Sequence, residues 1–195
     1  MGHEFVSNLR RWDVVAGLCQ SIDAKTYVEV GCKEGRTTGF VLAQCPDLRA
    51  IAIDPWCAQP AGDDASRETY EKWDFAQIQA KFWENVGLNK GRCHQLQQTS
   101  HEAAIEWTAR AHVMQTQPVK YAEVIFIDAL HDYESVKQDI AVWWPLVRDG
   151  GYLCGHDYNH KWPGVMRAVA EHFNLMDVCL GPDSMWWVQK PRAQA

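Results

Sequence analysis

The chain has 195 residues, about the length of one domain, and its 47% hydrophobic content is enough for one sizeable core. A formal net charge of −6, with no run of Lys and Arg, excludes a general electrostatic attraction to nucleic acid or acidic membranes. No apolar run approaches bilayer-crossing length and no basic–apolar–small leader pattern opens the sequence, so neither a membrane nor nucleic acid is expected as a partner.

Residues 1–24 read as an N-terminal helical extension, with Phe5, Leu9, Trp12, Val15, Ala16 and Cys19 at helical spacing. Residues 25–195 read as a single domain in which short β-rich runs alternate with helical patterns. Tyr27–Val30 is a strand that breaks at Gly31, and Gly35 to Gln44 is a helix stopped before Pro46. Ala50–Ile53 is the second strand, followed by Asp54-Pro55 and a polar loop from Cys57 to Arg67. That loop holds Pro60, Gly62, Asp63 and Asp64, and its position between a strand end and a helix suits a mobile lid or a plain surface loop.

Glu68 to Val86 is predicted helical, with Tyr70, Trp73, Phe75, Ile78, Phe82 and Val86 as its apolar positions. Cys93–Leu96 forms a short strand and Ser100 to about Ala111 a helix. Val124–Ile127 is the most strand-like run, Tyr133 to Val147 a helix, Asp149-Gly150-Gly151 a turn, and Tyr152–Gly155 a strand. Gly164 to Phe173 is the last helix. Met176–Leu180 and Met185–Gln189, joined by Gly181-Pro182-Asp183, close the chain as a hairpin. Seven strands in this pattern predict a mostly parallel sheet with helices on both faces and a C-terminal antiparallel hairpin. Ligands of such sheets bind beyond the carboxyl ends of the strands, where the strand order reverses.

The seven Cys are odd in number and show no CxxC pair or zinc spacing, which fits free thiols in a reducing cytoplasm. The ten Trp read as core and interface packing, or, for one or two of them with Trp56 and Trp162 first, as walls of a ligand pocket.

Three constellations carry chemistry. Val28-Glu29-Val30-Gly31-Cys32-Lys33-Glu34-Gly35-Arg36-Thr37-Thr38 places glycines between a strand and a helix. This is a plain turn or a loop that brings backbone against a ligand. It lacks the Gly-Lys-Ser/Thr ending of a phosphate-binding P-loop and the Gly-x-Gly-x-x-Gly of dinucleotide sites. Asp54, directly after strand two, either caps the turn beside Pro55 or accepts hydrogen bonds from ribose hydroxyls. Asp128, His131, His156 and Asp157 follow strands four and five, so adjacent strands would bring carboxylates and imidazoles to one rim. There they could bind a metal or move protons, with a capping role as the alternative for His131.

Val28-Glu29-Val30-Gly31, then Gly35 and Thr37, resembles motif I of the class I S-adenosylmethionine-dependent methyltransferases, and Asp54 stands where that family has its ribose-binding acid. Thr99-Ser100-His101 resembles the segment packed beside the adenine. Phe126 to Glu134 together with Gly150 to Tyr158 is similar to small-molecule enzymes grouped with macrocin O-methyltransferase and, more distantly, cephalosporin hydroxylase. The resemblance covers roughly residues 25 to 173.

The resemblance implies a Rossmann-like fold over 25–195 and methyl transfer from S-adenosylmethionine to an oxygen, less readily a nitrogen, of a small-molecule acceptor. It implies cofactor contacts from Glu29, Gly31, Gly35, Thr37, Asp54, Ser100, His101 and Asp128. In metal-dependent relatives, acids after strands four and five hold a divalent cation. Asp128 and Asp157 match two of those positions, and His156 stands at the third in place of an acid. The implied chemistry is therefore a divalent metal on Asp128, His156 and Asp157, or His131 or His156 as a metal-free general base. A non-catalytic cofactor-binding module and a hydroxylase-like relative are the alternatives, and homo-oligomerisation stays open.

Overall fold

The computed structural model describes residues 8–59, 72–113 and 121–193. Seven strands form one sheet in the order β3-β2-β1-β4-β5-β7-β6. They are β1 (Thr26–Val30), β2 (Arg49–Ile53), β3 (Cys93–Leu96), β4 (Ala122–Ile127), β5 (Val147–Gly155), β6 (Cys179–Leu180) and β7 (Trp186–Gln189). The first five run parallel, while β7 pairs antiparallel with both β5 and β6. This is the Rossmann-like arrangement expected from the alternation of elements, and the order reverses between β1 and β4.

Among the described residues, six α-helices cover the sheet: α1 (Arg11–Ser21), α2 (Arg36–Gln44), α3 (Phe75–Val86), α4 (Ser100–Val113), α5 (Tyr133–Trp143) and α6 (Pro163–His172). The central strands are buried on both faces, so their side chains alternate between two cores. Tyr27, Val124, Phe126 and Cys154 point to the side covered by α1, α2 and α3, against Val15, Cys19, Val41 and Phe82. Val28, Val30, Ile125 and Leu153 point to the side covered by α4, α5 and α6, against Ile140, Trp143, Val169 and Trp186. In α3 the buried residues Ile78, Phe82 and Val86 fall four apart, one stripe of a helix. Asp74 caps it by accepting from the Gln77 amide, as Asp132 caps α5 by accepting from the Ser135 amide.

Several boundaries differ from the sequence expectation, each for a local reason. The N-terminal helix spans Arg11–Ser21 rather than 1–24, and residues 1–7 lie outside the described part. The helix expected from Glu68 begins at Phe75, because Asp74 stops it as an N-cap; residues 60–71, and with them most of the expected lid, are outside the described part. The helix expected to reach Val147 ends at Trp143 and gives way to a 3₁₀ turn at Trp144–Leu146, where Pro145 offers no amide hydrogen. The turn expected at Asp149-Gly150-Gly151 is a bulge inside β5, which begins at Val147. Ala122 pairs with Val147 but Val124 with Tyr152, so three extra residues are absorbed there.

Candidate functional site

The rim is built by continuing the sheet ladder one residue past each strand. Asp54 donates its amide to the Leu96 carbonyl, Gly31 to Ile53, Asp128 to Val30 and His156 to Ile127, at 2.8–3.2 Å. The first residues after β2, β1, β4 and β5 are thereby fixed in a row, and a cavity of about 600 Å³ opens beyond them. On the β2–β3 side it is lined by Ile53, Asp54, Gln98, Thr99, Ser100 and His101. On the β4–β5 side it is lined by Asp128, His131, His156, Asp157 and Trp162, and Arg11 of α1 joins them.

Gly31 has φ +87°, and a Cβ there would overlap the Asp128 carbonyl, so only glycine lets β1 and β4 close behind the cavity. Asp54 accepts from the Trp56 amide through Oδ1 (2.8 Å) and from the Lys33 amide through Oδ2 (2.9 Å). Burial raises its pKa more than these two amides lower it. Trp56 donates its indole N–H to the Lys33 carbonyl at 3.0 Å and packs edge-on to Phe82, so it belongs to the core. Trp162 does line the cavity. So does Trp73, with the Lys33 ammonium 3.8 Å over its ring.

Glu29, Gly35 and Thr37 stand behind the loop rather than on the cavity wall. Gly35, at φ +71°, forms the N-cap of α2, where a Cβ would press on the Phe82 ring, and Thr37 is buried in the first turn. Glu29 is buried in β1, where Tyr27 Oη and Thr38 Oγ1 both donate to its Oε2 at 2.9 and 2.6 Å. Burial raises its pKa to about 8, outweighing the lowering by those two donors. A folded-state pKa above the ordinary value means that stability is full at acid pH and is lost as pH rises toward 8. Glu29→Gln keeps an acceptor for both hydroxyls without the ionisation. Its melting temperature should therefore fall less between pH 5 and 8, by up to about 1.4 kcal/mol of stability for each pH unit in that window. Parallel pH–melting curves for the two proteins would disprove the assignment.

Ser100 reaches the cavity from the first turn of α4. Its Oγ accepts from the Trp143 indole N–H at 2.9 Å and bonds Asp139 Oδ1. Burial raises the Asp139 pKa to about 7. Asp139 was missed in the sequence, although it falls on the apolar stripe of α5 with Val136, Ile140 and Trp143, where an acid is out of place.

All four acceptor-side residues expected from the sequence converge. His131 Nε2 lies 2.7 Å from Asp157 Oδ2, and His156 Nδ1 lies 3.1 Å from the same oxygen and 3.7 Å from Asp128 Oδ1. Burial opposes ionisation of Asp157, but the two imidazoles hold its pKa well below the usual carboxylate range. Burial likewise disfavours a charged His156, and the nearby Asp157 and Asp128 overcome this and raise its pKa. Trp162 stacks on the His131 ring with centroids 4.4 Å apart. Arg11, also missed in the sequence, places Nη1 2.6 Å from Asp128 Oδ2.

The residues fit the first of the two groups that the resemblance implies, and the second only in competition with a built-in cation. For S-adenosylmethionine, Asp54 offers carboxylate lone pairs, and the buried Gln98 Oε1 on the same side of the cavity has no hydrogen-bond partner. For a divalent cation, one ligand atom each from Asp128, His131 and Asp157 lies within 4.8 Å of the others. His131 is the histidine of that group, and the Arg11 guanidinium already stands 2.6 Å from Asp128 Oδ2, where it competes with an ion.

Residues 28–158 match the methyltransferase domain family. An uncharacterised protein of Acanthamoeba polyphaga mimivirus is 27% identical over 149 residues, 75% of this chain, and the match spans only 58% of that relative's length. Among solved structures, the O-methyltransferase NovP superposes with a TM-score of 0.67 at 18% identity, covering 93% of this chain and 80% of NovP. A calicheamicin methyltransferase gives 0.67 at 17% identity, covering 91% and 76%. The family match runs from within β1 to just past β5, the stretch that carries Gly31, Asp54, Asp128, His156 and Asp157, and on it the chain belongs to the methyltransferase domain family.

Proposed function

We propose that the protein transfers the methyl group of S-adenosylmethionine to a hydroxyl oxygen of a small molecule, with residues 25–195 as the catalytic domain and the N-terminal extension supplying Arg11 to its cavity. The cofactor supplies an already activated methyl group on its sulfonium. The protein's task is to hold the acceptor oxygen in line and remove its proton. Asp54 accepts from the ribose hydroxyls, Gly31 admits the cofactor beside the β1–β4 switch, and Ser100, His101 and Gln98 border the adenine side.

One observation carries the chemical step. His131 lines the acceptor side of the cavity and gives its Nε2–H to Asp157, which leaves the lone pair of Nδ1, buried and without a hydrogen-bond partner, as the base. Trp162 fixes the ring plane, and Asp157 stabilises the imidazolium that forms. The Asp128–His131–Asp157 grouping favours a second reading, in which a divalent cation held there would lower the pKa of the acceptor hydroxyl.

All seven cysteines are free thiols, which supports a reducing compartment such as the cytoplasm, and no helix among the described residues is long and apolar enough to cross a membrane. Calorimetry with S-adenosylmethionine and S-adenosylhomocysteine, followed by methyl transfer to a panel of hydroxylated acceptors, tests the proposal. Asp54→Ala should weaken S-adenosylhomocysteine binding by about tenfold or more, since a hydrogen bond to a charged acceptor is worth roughly 1.5–3 kcal/mol. Unchanged affinity in a folded variant would remove Asp54 from the ribose site.

A further inference from the structure

Arg11 has no counterpart among the residues that the motifs pointed to, yet its guanidinium is set among the acids of the acceptor side. It is the first residue of α1, and Asp183, in the turn between β6 and β7, accepts from its backbone amide at 3.0 Å. That anchor aims the side chain inward. Nη1 meets Asp128 Oδ2 at 2.6 Å, and Nε sits 3.5 Å from Asp183 Oδ2, buried and without a hydrogen bond. Three carboxylates, Asp128, Asp157 and Asp183, gather around His156, within 3.7, 3.1 and 3.8 Å of its ring nitrogens. Such a group of acids calls for a balancing charge.

We infer that Arg11 is a built-in cation of the acceptor site, positioning Asp128 and neutralising it where a divalent ion would otherwise do so. The inference rests on the methyl-transfer reading for its role in turnover, and on geometry alone for the competition with metal. A guanidinium 2.6 Å from a carboxylate oxygen blocks that oxygen as a metal ligand and repels a dication a few ångströms away. The Arg11 guanidinium also keeps further N–H donors for the oxygen on which negative charge develops.

The test is a manganese(II) titration, read by electron paramagnetic resonance, of the wild type, Arg11→Met and Arg11→Lys. It needs neither acceptor nor turnover. The wild type and Arg11→Lys should bind manganese weakly, and Arg11→Met at least about tenfold more tightly. If Arg11→Met does not fold, Arg11→Gln serves instead: it removes the guanidinium charge, leaves the backbone anchor on Asp183 in place and should strengthen manganese binding in the same direction. Tight binding by the wild type, or equal affinity with and without the guanidinium, would overturn the inference. With an acceptor in hand, the wild type should turn over in excess EDTA. Arg11→Met should lose kcat in EDTA with KM for S-adenosylmethionine unchanged, and Arg11→Lys should rescue it in part. An absence of S-adenosylhomocysteine binding in every protein would count against the methyl-transfer reading, while the manganese arm still decides the role of Arg11.

Discussion

Gly31→Ala should lower the melting temperature by about 6–12 °C and abolish measurable S-adenosylhomocysteine binding, from a destabilisation of about 3 kcal/mol. Two costs combine. The φ of +87° is left-handed space that alanine enters only with strain, and the added Cβ would overlap the Asp128 carbonyl and lie 2.8 Å from the Ala129 Cα. Both obstacles are backbone, so no side chain can swing aside; the ends of β1 and β4 must part. Gly17→Ala in α1 is the control, because its Cβ meets nothing within 4 Å and alanine favours a helix. Melting curves and calorimetry on both variants decide the matter. A Gly31→Ala protein as stable as the wild type and still binding the ligand would mean that the β1–β4 rim is not closed as described.

Asp157→Asn should reduce kcat by about 10²–10⁴ while leaving S-adenosylhomocysteine affinity near that of the wild type. Asp157 holds a φ of +62°, a conformation that asparagine tolerates, so the backbone should survive the exchange. What is lost is the negative charge 2.7 Å from His131 Nε2, which both fixes the tautomer with Nδ1 free and stabilises the ring once protonated. His131→Gln should show a loss of similar size, because it removes the base itself, and the double variant should lose little more than either single one. An unchanged kcat in Asp157→Asn would place the proton acceptor elsewhere.

The parts of the site legible in the sequence were those that follow directly from strand position. Gly31, Asp54, Asp128, His156 and Asp157 each come one or two residues after a strand, so recognising the strands placed them on one rim. Glu29 and Thr37 carry the motif pattern equally well. Side-chain alternation and helix rotation turn them into the support behind the loop, which the pattern of letters does not distinguish from the wall. Trp56 and Trp162 looked alike as candidate pocket walls, but one folds into the core against Phe82 and the other onto His131. Arg11 and Asp183 were invisible because their meeting depends on how two remote segments dock, and no local spacing encodes that. The helix ends were misjudged where a single cap or proline overrode periodicity, as at Asp74 and Pro145.

The amide of Arg11 and the carboxylate of Asp183 are 172 residues apart in sequence. Contacts of such separation form late, since the chain between them must first be ordered. Until the β6–β7 turn docks on α1, the Arg11 side chain lacks the anchor that aims it at Asp128. The Arg11–Asp128 pair is thus the part of the rim whose completion depends on the most distant docking event among the described residues.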